Sequence, residues 1–268
     1  MRFDATGKVS LNHIYTQPDP RTYFQVLRPL GYCVPQQAKP YFEKLIKEYR
    51  ESRQVAAPRV LDIGCSYGIN AALLKYNVSM DELYARYCDA GEVSRDELLA
   101  RDRDLARSRT PAHTLHVTGL DASSRALAYA REAGFLDAAV NADLEANDPT
   151  PEQRDRLSGA DLVISTGCIG YVTERTLVRV VLAQGDRRPW MAHFVLRMFP
   201  FDPVEDALAA LGYRTTRVDE VFVQRRFADE REKAHVLDRL SGIGLDTEGL
   251  ESDGHYYAQL YLSRPYDT

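Results

Sequence analysis

Short apolar runs alternate with stretches of helical spacing along most of this chain, and that rhythm predicts an α/β fold with a mostly parallel sheet. Seven strands are expected, at Arg59–Ile63, Leu115–Leu120, Ala138–Asn141, Leu162–Ser165, Trp190–Met198, Tyr213–Val223 and Tyr256–Leu262. The first five are apolar enough for strands covered on both faces by helices. The last two are longer and alternate apolar with polar residues, as in Val221-Phe-Val-Gln and Tyr256-Tyr-Ala-Gln-Leu-Tyr-Leu. Alternation of that kind predicts an antiparallel pair at a sheet edge with one face wetted.

Three segments fall outside the repeating pattern. Residues 1–54 precede the first strand; they hold a loop-like Gln17-Pro-Asp-Pro-Arg and a helical Tyr41-Phe-Glu-Lys-Leu-Ile-Lys-Glu-Tyr. Residues 77–113 and 224–254 are insertions with charged helical runs, Asp96 to Leu105 in one and Arg231 to Leu240 in the other. Glu97 and Arg101 stand four apart, as an exposed helix pair does. The expected division is an N-terminal helical segment over 1–54 and a doubly wound domain over 55–268.

The richest stretch is Val60-Leu-Asp-Ile-Gly-Cys-Ser-Tyr-Gly68, an apolar strand running into a glycine-bounded turn, with Ile69-Asn-Ala-Ala-Leu-Leu74 starting a helix behind it. Glycines at 64 and 68 let backbone N–H groups come close to a ligand. The helix N-terminus adds free donors and a partial positive charge. Asp62 inside the strand end repels phosphate but suits an ammonium or a set of hydroxyls. A second acid, Asp121, ends the second strand in Gly119-Leu-Asp-Ala-Ser-Ser124, where it can accept both hydroxyls of a ribose or cap the helix expected over Ser123–Glu132.

The strand ending in D-x-G-x-x-x-G resembles the first motif of class I S-adenosylmethionine-dependent methyltransferases, and the seven-strand layout is similar to theirs. The resemblance covers roughly residues 58–265. It implies a seven-stranded Rossmann-like sheet and S-adenosylmethionine (SAM) as cofactor, with S-adenosylhomocysteine (SAH) as product. It assigns the cofactor to Asp62, Gly64, Cys65, Ser66 and Gly68 of the first turn, and to Asp121 with Ala122 at the ribose. Asp143 and Leu144, in Asn141-Ala-Asp-Leu-Glu145, match the acid and apolar residue at adenine; Ser165, Thr166 and Gly167 end the fourth strand beside the methyl group. Asp121 lies 53 residues beyond Gly68, against roughly 20 in a compact nucleotide-binding unit; the 77–113 insertion accounts for the excess.

The fourth strand continues as Ser165-Thr-Gly-Cys-Ile-Gly-Tyr171 and lacks the N/D-P-P-Y/F run of relatives that methylate nucleobase amines or glutamine. A small-molecule metabolite with an N, O or S nucleophile is the expected acceptor, methylated by direct in-line displacement. Candidate catalytic residues are His13, Tyr15 and Tyr23 in a lid formed by the N-terminal segment, Tyr171, and His193 on the fifth strand. His193 also suits a satisfied core position, and Tyr171 a core tyrosine. No carboxylate cluster follows strands four and five, so no metal is expected.

Net charge narrows the partners. At −5 over 268 residues the chain has no general attraction to a polyanion, and Arg187-Arg188 and Arg225-Arg226 are short. Four scattered cysteines without a C-x-x-C pair fit a reducing cytoplasm. Met1-Arg-Phe-Asp-Ala-Thr lacks a signal-peptide core, and no apolar run nears the ~18 residues of a membrane span. Two alternatives stay open. An NAD(P)-dependent oxidoreductase would use the same turn and acid, although Gly64-Cys-Ser-Tyr-Gly68 is not G-x-G-x-x-G. A non-catalytic adenosyl-binding partner protein would use the charged insertions as interfaces, a homodimer among them.

Overall fold

Seven strands form one sheet in the computed structural model, which describes residues 8–109 and 114–266. The extreme N-terminus read above for a signal peptide and positions 110–113 of the first insertion lie outside the described residues. The strands are β1 (Arg59–Ile63), β2 (His116–Asp121), β3 (Ala138–Asn141), β4 (Leu162–Thr166), β5 (Trp190–Leu196), β6 (Tyr213–Arg226) and β7 (His255–Pro265). Their order is β3-β2-β1-β4-β5-β7-β6, with β1 to β5 parallel and β7 antiparallel to both β5 and β6. The expected fold class therefore stands: a doubly wound sheet closed by an antiparallel pair.

Helices α1 (Arg21–Leu27) and α2 (Val34–Arg53) precede β1, and α3 (Ile69–Tyr76) follows its turn. The first insertion supplies α4 (Met80–Cys88) and α5 (Arg95–Ser108); α6 (Ser124–Glu132), α7 (Pro151–Leu157), α8 (Glu174–Ala183) and α9 (Asp202–Ala210) link the later strands, and α10 (Glu230–Gly242) lies between β6 and β7. Alternation along each strand sends successive side chains to opposite faces. Leu61, Val163 and Val195 pack with α7 to α9, whereas Val60, Ile164 and Phe194 pack with α2, α3 and α6. Asp161 pins α2 to this frame, taking the Tyr49 hydroxyl at 2.9 Å and the Arg59 amide at 2.8 Å.

A third core joins the N-terminal segment to the first insertion. Phe24 stacks on Tyr87 at 4.6 Å, and Tyr23 meets Tyr67 edge to face. Ser79 with Glu82 and Ser94 with Glu97 form capping boxes that start α4 and α5. Glu97, read in the sequence as half of a surface pair, thus closes a helix end. The charged run beyond it hides a buried carboxylate: Asp102 accepts from Arg86 and from the hydroxyls of Tyr87 (2.8 Å) and Tyr129 (2.6 Å).

Strand ends differ modestly from expectation. β5 stops at Leu196 rather than Met198, and β6 runs three residues past Val223. That extension takes Arg225 out of the surface patch inferred from sequence: it is buried against Glu232, with hydrogen bonds of 2.7 and 2.9 Å. Among the described residues no helix is long and apolar enough to cross a membrane.

Candidate active site

Two glycines shape the turn at the floor of the site. Gly64 and Gly68 have φ of 68° and 76°, in the left-handed region that a side chain disfavours. A Cβ on Gly64 would stand 2.7 Å from the Cys168 Cβ, so only glycine lets the β1 turn and the β4 loop approach this closely. The turn is held by Asp121, whose Oδ2 accepts the Ser66 amide and whose Oδ1 accepts the Ser123 amide, both at 2.8 Å. Ser123, rather than Asp121, caps α6, its hydroxyl accepting from Ala126. Burial pushes the Asp121 carboxyl up, and the three backbone amides around it oppose the shift.

Beneath the turn lies a set of incompletely bonded polar groups. Asp62 is fully buried; its Oδ1 accepts from Asn70 Nδ2 at 3.1 Å and its Oδ2 has no partner among the described residues. Burial pushes this carboxyl up to about 7. Asn70 also donates to the Thr166 hydroxyl at 3.2 Å, while its own Oδ1 and the Ser66 Oγ are buried without partners among the described residues. Leaving such an atom unpaired costs about 1–3 kcal/mol, a cost that a ligand with an ammonium and hydroxyl groups would remove.

Above this floor is a cavity of about 490 Å³. Its roof comes from the N-terminal segment: Lys8, Tyr15 on the 3-10 turn Asn12–Tyr15, Tyr23 on α1, and Tyr32 beyond it. Hydrogen bonds fasten roof to floor. The Tyr67 hydroxyl, from inside the glycine turn, donates to the carbonyls of Ile14 (3.1 Å) and Gln17 (3.0 Å). Ser123 Oγ donates to the Tyr15 carbonyl and Arg125 to that of Thr16. At the other end Glu232 accepts the Val9 amide at 2.8 Å while paired with Arg225. Burial pushes the Tyr15 hydroxyl up to about 12, partly offset by Arg225.

Of the residues singled out from the sequence, Tyr15, Tyr23, Tyr171, Gly64, Cys65, Ser66, Asp121, Ala122, Thr166 and Gly167 line this cavity. Others stand elsewhere. His13 is exposed, and its carbonyl serves Thr16 and Gln17 within the same turn. His193 is buried in β5 with its Nδ1 2.8 Å from Ser165 Oγ, and burial pushes it down to about 3, so it is a neutral core histidine. Ser165 is turned toward it and likewise buried. Gly68 packs against Ala130 and Phe135 at the start of α3. Asp143 is exposed and its Oδ1 accepts from Glu145 and Ala146, while Leu144 lies in the core.

Lys8, Tyr32, Asn70, Gln224 and Arg225 line the cavity without having been singled out. Asn70 carried a signal, a polar residue in the apolar helix start Ile69-Asn-Ala-Ala-Leu-Leu74. So did Gln224-Arg225, where the alternation of β6 breaks. Lys8 and Tyr32 carried none. Among the described residues no group of three or more His, Cys, Asp or Glu side chains is placed to hold a metal ion.

No protein-family model and no curated protein matches this sequence. Solved structures do. The magnesium protoporphyrin IX methyltransferase of Synechocystis PCC 6803 with bound SAM is 11% identical, with 84% of this chain and 79% of that chain covered and a TM-score of 0.40. The plantazolicin methyltransferase BamL, in complex with a desmethyl-plantazolicin analogue and SAH, gives 12%, 84%, 83% and 0.44. A SAM-dependent methyltransferase of Geobacter sulfurreducens in complex with SAH gives 14%, 83%, 90% and 0.38. This chain's own sheet is seven-stranded and Rossmann-like, in the order β3-β2-β1-β4-β5-β7-β6.

Proposed function

We propose that this chain is a SAM-dependent methyltransferase that acts on a small molecule enclosed beneath its N-terminal roof. One observation carries the reading: buried polar atoms of Asp62, Ser66 and Asn70 lack partners among the described residues where a glycine turn meets a cavity at the strand ends. Ligands of open α/β sheets bind outside those ends.

Asn70, backed by the buried Asp62 carboxyl, is suited to an α-ammonium, and Asp121 to ribose hydroxyls through the lone pairs its amide bonds leave over. Asp143 spends Oδ1 on its own loop, so Oδ2 is the oxygen that would meet an adenine amine. When bound, SAM supplies a methyl carbon activated by a sulfonium, which passes to the nucleophile's lone pair while the sulfur keeps the C–S electrons. The protein's own contribution is to align the acceptor and exclude water. Among the described residues lining the cavity there is no histidine, and burial holds Tyr15 and Cys168 protonated, each pushed up to about 12. Positioning, not a strong base, fits this inventory. We place the protein in a reducing cytoplasm, on its free cysteines.

Calorimetric titration with SAM, SAH and NADH tests the reading. Micromolar binding of both adenosyl compounds is expected, weakened at least about tenfold in Asp121→Asn with the circular-dichroism spectrum unchanged. Binding of NADH alone would restore the oxidoreductase alternative.

A further inference from the structure

One wall of the cavity is made by an irregularity in β6. Val223 stands opposite Tyr257 of β7, but Arg225 stands opposite Tyr256, so Gln224 is an extra residue in the ladder. Regular alternation would send Gln224 and Arg225 to opposite faces of the sheet. The bulge lets both line the cavity. Cys33 locks it in place, donating its amide to the Gln224 carbonyl at 2.8 Å and its thiol to the Val223 carbonyl at 3.4 Å. That same segment carries Tyr32.

What the bulge delivers is an amide with unused hydrogen-bonding capacity. Gln224 is only 4% exposed, and its Oε1 has no partner among the described residues. Its Nε2 fills the space above Gly167, where a Cβ would come within 2.7 Å of it. Gly167 is the first residue past β4, which sets the amide beside the strand end that faces the methyl group in the reading above. A glutamine kept for structure would be bonded to the protein; this one lines the cavity with its buried Oε1 unpaired among the described residues. The rings of Tyr15, Tyr23 and Tyr32 line the same cavity, with Leu27 and Pro35. Asp121, on the floor, is the only carboxylate among the described lining residues, so an ammonium group finds no anion in the roof.

We propose that Gln224 reads the methyl acceptor, which is a flat aromatic molecule whose reacting O–H or N–H donates to Gln224 Oε1. The proposal rests on the methyltransferase reading and names the acceptor class for it. The amide turns the nucleophile's donor hydrogen toward β6 and leaves its lone pair to bond the methyl carbon as the C–S bond breaks; the amide takes no proton, and the hydrogen on the methylated atom is lost to water as a proton when the product leaves. The tyrosine rings hold the aromatic body.

The test uses the full chain saturated with SAH and titrated with 2-naphthol and 2-methoxynaphthalene, which share a ring and differ in the O–H. Tighter binding of 2-naphthol is expected, by at least about tenfold. That preference should vanish in Gln224→Met, which keeps the length but not the acceptor, and persist in Gln224→Glu, with SAH affinity unchanged in both. Equal binding of the two rings, a preference that survives Gln224→Met, or no binding of either ring to the SAH-loaded protein overturns the proposal. Failure of the unmodified chain to bind SAH would instead remove the methyltransferase reading, and the acceptor assignment with it.

Discussion

The floor and roof of the cavity are built on opposite principles. In the floor, the ends of neighbouring strands are fixed by the sheet ladder: the Gly64 amide donates to the Leu120 carbonyl at 2.8 Å, and Asp121 grips Ser66. Such a frame tolerates unpaired polar atoms because the surrounding backbone holds them in place. In the roof, residues 8–32 are brought to residues 224–232 across most of the chain, and the charges there are matched: Arg225 with Glu232, and Glu232 with the Val9 amide. The difference separates two kinds of failure. Damage to the floor removes binding, while damage to the roof loosens closure and stability.

The sharpest way to break this contrast is Glu232→Gln. Both members of the pair are held ionised, Glu232 pulled below its ordinary range by Arg225 and by the amides of Ala228 and Val9. Removing one partner strands a buried guanidinium, which costs about 3–5 kcal/mol and should lower the melting temperature by roughly 10 °C. The double change Arg225→Met with Glu232→Met should recover most of that loss. A shift of only a degree or two for the single variant would mean that the roof is anchored elsewhere.

Asp62→Asn probes the floor. Burial raises the folded-state carboxyl from 3.8 to about 7. The folded protein therefore holds a proton that the unfolded chain has released between those values, and stability falls as pH rises through that window. The penalty, on the order of 4 kcal/mol, is complete above pH 7. Ligand-free Asp62→Asn should accordingly melt higher than the unmodified protein at pH 8 and alike near pH 4, while binding SAM more weakly. Parallel melting curves at the two pH values would show that Asp62 is not a strained acid.

Tyr67→Phe has the smallest expected effect and addresses the link between the two regions. It deletes the hydroxyl that donates to Ile14 and Gln17, at a cost of about 1–2 kcal/mol. Faster hydrogen exchange confined to residues 8–20 would locate the loss in the roof; faster exchange in the β1 turn would show that floor and roof do not separate.

These regions also differ in how far the sequence revealed them. Gly64, Ser66 and Asp121 are legible because a backbone bend needs glycine and a strand-end acid has few other uses. The β6–β7 pair is legible because alternation marks a half-wetted edge. Gln224 and Arg225 are legible only as a broken alternation, since a bulge depends on pairing with β7. Lys8 and Tyr32 left no mark, because nothing local says which distant segment will cover a cavity. His193 is a candidate catalyst by residue type, with a core position as the alternative its strand suggests; its bond to Ser165 makes it core.

The stack of Phe24 on Tyr87 limits how this protein can be shortened. A version trimmed to the common sheet would discard 77–109 as an ornament. That cut would expose the aromatic underside of α1, and with it the seat on which the roof rests. The trimmed sheet would keep its glycine turn and gain a sticky surface beside it, so the first sign of the missing segment would be poor solubility rather than altered chemistry.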